Sequence, residues 1–197
     1  MELKSTTKPH VAVVGTSWME LSIDVPWFPT PGETLYSGPA NGGPGGHAPT
    51  IASILAALEC RVFLLSCVGM DSHGSQVLSD VRRRGINVDY VERIENAATS
   101  VIHTLRDPGG NTARMIAGIA GPAMTKTPLL AAKAMISSCQ AMALLPDIPE
   151  ETFTFAIDVA HYFHVPVIAY AAPAENFPVQ SLGKIDLLIV NAEGTRK

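Results

Sequence analysis

Short apolar runs recur along this chain with helical patterns between them, and that alternation constrains the fold more than any other feature. The runs occupy residues 11–14, 62–68, 142–145, 165–168 and 187–190. Almost uninterrupted apolar runs of this length suit parallel strands buried on both faces. Between them the sequence predicts helices over residues 49–58, 75–84 closed by Gly85, 128–137 with Thr127 as N-cap, and 150–163. Strand, helix, strand in repetition implies right-handed crossovers, hence an α/β chain with three layers, α/β/α, around a parallel sheet.

Two segments break the alternation. Residues 21–37 hold prolines among short β-prone pieces, and residues 99–119 read as two strands around the turn Pro108-Gly109-Gly110-Asn111. Both are expected to be β excursions, spanning approximately residues 18–40 and 97–119. Paired with each other they would form a small sheet at the edge of the main layer, in a position to cover a ligand. The length of 197 residues is expected to form a single domain, 1–197.

Charged residues make up only 16% of the chain against 47% hydrophobic, below the roughly 25% charged of an average globular protein. Some apolar surface is therefore expected to meet a partner. A net charge of −4 offers no footprint for a phosphate backbone, and the one basic run, Arg82 to Arg84, suits a helix C-terminus, so no nucleic acid is expected. Cys60, Cys67 and Cys139 form no CxxC and leave an odd thiol, which supports neither a disulfide framework nor a zinc site. The polar N-terminus and short first apolar run predict no signal peptide and no membrane span, hence a cytoplasmic protein.

The stretch GGPGGHAPTIASILAAL, residues 42–58, joins glycines directly to an apolar stripe of Ile51, Ile54, Leu55 and Leu58 at helical spacing. Flexible glycines let backbone amides approach a ligand, and the helix N-terminus behind them favours an oxygen-rich group. The same residues also suit a surface turn before an ordinary amphipathic helix. Gly43 to Ala48 formally satisfies the dinucleotide fingerprint GxGxxA, but it does not leave the first strand directly, so dinucleotide binding is disfavoured. Neither a P-loop nor a GxSxG nucleophile elbow occurs. His161 and His164 lie three apart on a helix without a third ligand spaced to join them, and read as surface or cap histidines. Glu20, Asp71 and Asp147 each follow an apolar run. Beyond the carboxyl ends of parallel strands they would face one crevice, where acceptors without cations suit a neutral polyol. Asp71 also suits a helix N-cap.

Read together, these segments resemble the ribokinase-like family of carbohydrate kinases, the phosphofructokinase-B type, from Val11 to the chain end. VAVVGTSWMELSIDVPWFPTPGETL is similar to the family opening, in which a sugar-binding aspartate follows strand one and a PGET turn comes next. PGGHAPTIASILAAL is similar to the PGGKGAN signature and its helix. VGMDSHG resembles VGDDxFG, RRRGINVDYV resembles the following helix end and strand, and PDIPEE resembles the strand end that supplies a second acidic sugar ligand.

The resemblance implies a ribokinase-like fold with a small β lid, and ATP-dependent phosphorylation of a sugar or nucleoside hydroxyl. It implies substrate contacts on Glu20, Gly45, Gly46, His47, Thr50 and Asp147, with Asn191 on the phosphate and metal side. ATP and Mg²⁺ are expected for the complete family enzyme, and a homo-oligomer through the lid or an open sheet edge. Departures are plain: Glu20 for Asp, Trp18 for a sugar-contacting Asn, His47 for Lys, Ala48 for Gly, Thr50 for Asn, Asp147 for Glu, and Gly194 at the second acidic position of the NxxE motif. The family's catalytic base lies in a GxGD motif, and none occurs in these 197 residues. No catalytic residue or metal ligand is therefore assigned, and neither ATP nor Mg²⁺ is expected to bind well to this chain alone. The alternative is a non-catalytic, truncated pseudokinase serving as a sugar-binding or dimerisation module.

Overall fold

In the computed structural model the described residues are 7–118, 120–121, 123–171 and 177–191. In chain order they form β1 (His10–Val14), β2 (Trp18–Asp24), β3 (Asn41–Gly45), α1 (His47–Ala57), β4 (Arg61–Gly69), α2 (Ser72–Arg83) and β5 (Asn87–Ile94). There follow β6 (Val101–Arg106), β7 (Thr112–Ala117), α3 (Thr127–Ala131), α4 (Lys133–Ile136), β8 (Ala141–Leu144), α5 (Glu150–Tyr162), β9 (Val167–Ala171) and β10 (Leu187–Val190).

Six strands form one sheet in the order β10-β9-β8-β1-β4-β5, and every pairing in it is parallel. Burial on both faces explains why β1 and β4 lack the polar alternation of a half-exposed strand, whereas the edge strands β5 and β10 are not buried in this way. Along β1, Ala12 and Val14 join one core with Phe153, Ala156 and Ile157 of α5 and Ile136 of α4. Val11 and Val13 join a second core with Ala48 and Ala52 of α1 and Val77, Leu78 and Val81 of α2. The expected three layers follow directly. The chain runs outward from β1 to β4 and β5, then returns to β8 on the other side of β1. The strand order thus reverses at the β1/β8 boundary, where open α/β sheets place ligands.

The second sheet has the order β3-β2-β6-β7. The two β excursions do pair, with β2 and β6 parallel over Met19–Asp24 and Val101–Arg106, and β6 and β7 form the predicted hairpin around Pro108–Asn111. Met19 and Val101 anchor this sheet in the α1/α2 core.

Several local expectations change. The glycine-rich stretch is not a loop: Asn41–Gly45 pairs antiparallel with Trp18–Ser22. Larger cross-strand side chains cover its bare backbone, for a Cβ at Gly42 would lie 2.9 Å from Leu21 Cδ2, and one at Gly45 2.4 Å from Trp18 Nε1. Pro44 is tolerated because β3 is an edge strand. The buried stripe of α1 is Ala48, Pro49 and Ala52. Ile51 and Leu55 are half-buried beside that core, whereas Ile54 and Leu58 stay 55% and 68% exposed. Small residues face the sheet because the approach is close, a Cβ on Gly15 standing 3.0 Å from Ala48 Cβ.

The helix predicted over 128–137 is split at Ala132 into two short pieces, and Lys126, not Thr127, is its N-cap. The fourth strand begins at Val167 instead of Val165 and runs on to Ala171. Asp71 caps α2 as expected, its carboxylate accepting from Gly74 N at 2.7 Å. All four residues of β10, at the far edge of the main sheet, are exposed.

Candidate functional site

β1 ends at Val14, and the next three residues, Gly15, Thr16 and Ser17, carry the chain from the main sheet to the small one. Gly15 is fixed by crowding, since a Cβ there would stand 2.8 Å from Leu145 Cδ1 and 3.1 Å from Asp147 Oδ1. Beside it, Thr16 N donates to Asp147 Oδ1 at 3.1 Å and Thr16 Oγ1 donates to Asp147 Oδ2 at 2.6 Å. This pair of hydrogen bonds bridges the exits of β1 and β8, the two strands that flank the reversal in strand order. Burial pushes the Asp147 carboxyl above its usual range, and the Thr16 bonds and the charge of His47 only partly offset that. Ser17 is fully buried with its hydroxyl 2.8 Å from that of Ser66, a structural pairing remote from nucleophile chemistry.

α1 enters the same crevice. Gly46 has φ of 107°, and a Cβ on it would lie 2.6 Å from Thr16 O, so both conformation and space require glycine. His47 opens the helix. Its ring meets Trp18 of β2 edge-on at 6.2 Å and 79°, and Tyr170 of β9 at 5.7 Å and 77°. Thr50, one turn on, donates its hydroxyl back to Gly46 O at 2.8 Å.

The small sheet supplies the opposite wall. Trp18 and Glu20 are two apart on β2 and share a face, and both side chains border Gly45. Glu20 is half-buried and makes one long contact, from Thr104 Oγ1 at 3.4 Å. Trp18 Nε1 is buried and has no hydrogen-bond partner among the described residues.

The structure therefore brings together five segments: Gly15–Thr16, Trp18 with Glu20, Gly45 to His47, Asp147, and Tyr170. Glu20 lies within the small sheet, not directly beyond strand one, and its side chain borders Gly45, one residue before the Gly46 that leads into α1. Asp71 stands apart, tied to Thr99 at the root of β6. Asn191 follows β10, three strands from β1, roughly 15 Å across the sheet at the usual strand spacing. Gly194 and the remainder of the NxxE segment lie outside the described residues.

Sequence reasoning singled out Trp18 as a departure but missed its packing, with Tyr170, on His47, and it missed Thr16 altogether. Only the reversal of strand order, which needs the sheet topology, exposes Thr16 as the partner of Asp147. The His161 ring nitrogen Nε2 lies 2.8 Å from Lys184 O, and no group of three or more His, Cys, Asp or Glu among the described residues is placed to hold a metal ion.

A parallel sheet covered by helices on both faces, with a glycine-led helix at the switch point and a second, small sheet, defines a three-layer α/β/α protein. Residues 8–196 match the profile of the pfkB family of carbohydrate kinases, and the chain belongs to that family. The ribokinase of Schizosaccharomyces pombe is 29% identical over 171 residues, which cover 84% of this chain and 54% of that protein. The ribokinase of Bacillus subtilis is 26% identical over 182 residues, covering 92% and 62%. Among solved structures, Arabidopsis thaliana ribokinase complexed with ribose and ATP gives a TM-score of 0.84 at 20% identity, over 95% of this chain and 62% of that one. Thermotoga maritima ribokinase gives 0.81 at 25% identity, over 94% and 60%. The chain thus spans a little over half the length of these curated relatives and solved structures.

Proposed function

We propose that this chain forms the substrate crevice and covering sheet of a ribokinase-like carbohydrate kinase, whose complete reaction is ATP-dependent phosphorylation of a sugar or nucleoside hydroxyl. The observation that carries this reading is that Asp147, at the β1/β8 switch point, lies beside Thr16 and the Gly46–His47 start of α1, with Glu20 bordering the adjacent Gly45. Carboxylates there accept hydroxyl protons, and the first amides of α1 and the Trp18 indole N–H are donors for a polyol oxygen. Glu20 is the principal free acceptor. Asp147, clamped by Thr16, acts mainly by holding the crevice floor. ATP and Mg²⁺ would be held by residues beyond this crevice, toward Asn191.

The 197 residues contain no GxGD segment. General-base catalysis contributes about 10² to 10⁴-fold and an anion-stabilising donor about 10² to 10³-fold, so a chain lacking both should bind without turning over. A coupled ADP-release assay, run with calorimetric titration across pentoses, hexoses and nucleosides, tests this. Saturable binding without turnover is expected. Turnover at enzyme rates would contradict the missing-base argument, and absence of binding would contradict the crevice.

A second reading, a module that associates through its surfaces and does no chemistry, is favoured by β10, whose four apolar residues Leu187 to Val190 are all at least 36% exposed. An open apolar edge of this kind invites pairing with another chain. Light scattering showing a monomer at tens of micromolar would count against it.

A further inference from the structure

Several groups that could grip a bare polyol already make bonds inside the protein. Both Asp147 oxygens hold Thr16, the Thr50 hydroxyl holds Gly46 O, and the indole of Trp18 lies against Gly45. What the crevice presents instead is a wall of three rings, with His47 packed edge-on between Trp18 and Tyr170. All three residues are half-buried, so each keeps accessible surface. Next to the wall stand one weakly engaged acceptor, Glu20, with its single contact at 3.4 Å, and one donor without a partner among the described residues, Trp18 Nε1.

A free pentose has no aromatic face to match three rings, whereas this arrangement places apolar ring surface beside its polar groups. Aromatic rings favour edge or offset contact with another π-system, and a buried indole N–H favours an acceptor at the rim of that system. Resting on the substrate-crevice reading above, we propose that the crevice selects a sugar carrying a planar heteroaromatic group, that is, a nucleoside. Its base lies against Trp18, His47 and Tyr170, and a sugar hydroxyl donates to Glu20. Trp18 is the specificity-determining residue, and it acts on binding through its ring face.

The chain has two tryptophans, Trp18 and Trp27, and Trp27 is 54% exposed in the β2–β3 connection. Trp27→Phe therefore leaves Trp18 as a local reporter. Titrating this variant with adenosine, uridine and ribose, exciting at the red edge of the indole band, should give saturable quenching with at least one nucleoside and none with ribose. Calorimetry on Trp18→Ala should show nucleoside affinity reduced tenfold or more, and on Trp18→Phe a reduction below threefold. Because Trp18 also covers Gly45, circular dichroism checks each fold. If Trp18→Ala does not fold, Tyr170→Ala replaces it, with the same tenfold loss expected. Ribose binding as tightly as the nucleosides, or nucleoside binding indifferent to these changes, overturns the aromatic selection and leaves the crevice reading standing. No binding of any sugar or nucleoside to the folded chain overturns both.

Discussion

Replacing Asp71 by alanine should be among the costliest single changes outside the hydrophobic cores. The Asp71 carboxylate accepts from Gly74 N at 2.7 Å as the cap of α2, and from Thr99 Oγ1 at 2.6 Å and Thr99 N at 2.8 Å. Thr99 in turn accepts from Gly69 N at 2.9 Å, so one carboxylate ties the exit of β4, the start of α2 and the root of β6. Loss of an aspartate cap costs about 1 kcal/mol. Thr99 is only 1% exposed, and leaving its amide and hydroxyl unpaired adds about 1–3 kcal/mol. The total is about 3 kcal/mol, with neighbouring bonds not strictly additive. Urea unfolding followed by circular dichroism should show this as a lower midpoint with an unchanged slope. Burial pushes the Asp71 carboxyl up, but the bonds from Thr99 and Gly74 outweigh it and hold the folded-state value below the ordinary one. The contribution is therefore complete above the unfolded-state pKa of about 4 and is lost as pH falls through the lower folded-state value. The gap between wild type and Asp71→Ala should be constant from pH 7 to 5 and narrow below pH 4. A cost under about 0.5 kcal/mol, typical of unremarkable surface changes, would refute the role of this carboxylate as a three-way tie.

Gly46→Ala should destabilise the chain by at least about 2 kcal/mol, through strain at positive φ and collision with Thr16 O, read in the same urea assay. Asp147 behaves oppositely to Asp71: burial raises its folded-state pKa, so its contribution is complete below the unfolded value and is lost as pH rises through the folded one. The stability of Asp147→Asn relative to wild type should accordingly improve between pH 4 and 7, and a flat difference would contradict this. Burial pushes the Cys67 thiol up to about 12 and Cys139 up to about 11, whereas Cys60 is only partly buried. Iodoacetamide at pH 8 should label Cys60 alone in the folded chain, with mass spectrometry of peptides as the readout.

Most of the main sheet was legible because strands buried on both faces leave apolar runs that do not depend on distant partners, whereas the edge strand β5, NVDYVERI, has no such run and was read only from the resemblance. The same runs gave the three layers, and the turn at Pro108–Asn111 gave the β6–β7 hairpin. What failed depended on contacts across the chain. Asn41–Gly45 has no β propensity of its own and is a strand because Trp18 and Leu21 cover it. The stripe of α1 was misplaced because the closest approach to the sheet selects Ala48 and Ala52, which carry little hydrophobic weight, over Ile54 and Leu58. Of the candidate positions, Gly46, His47 and Asp147 were singled out by pattern. Thr16 and the aromatic wall were not, since their partners lie 131 residues away along the chain in one case and, in the other, on β2 and β9, strands of different sheets.

The most direct test of the crevice is whether the 197-residue chain binds a polyol ligand through Glu20. Calorimetry across the sugar and nucleoside panel should give saturable binding at one site per chain, and Glu20→Leu should weaken it at least tenfold with urea stability changed by less than about 1 kcal/mol, since among the described residues Glu20 makes one long hydrogen bond. Binding unaffected by Glu20→Leu, or a folded chain that binds nothing in the panel, would contradict a substrate crevice at the β1/β8 switch point.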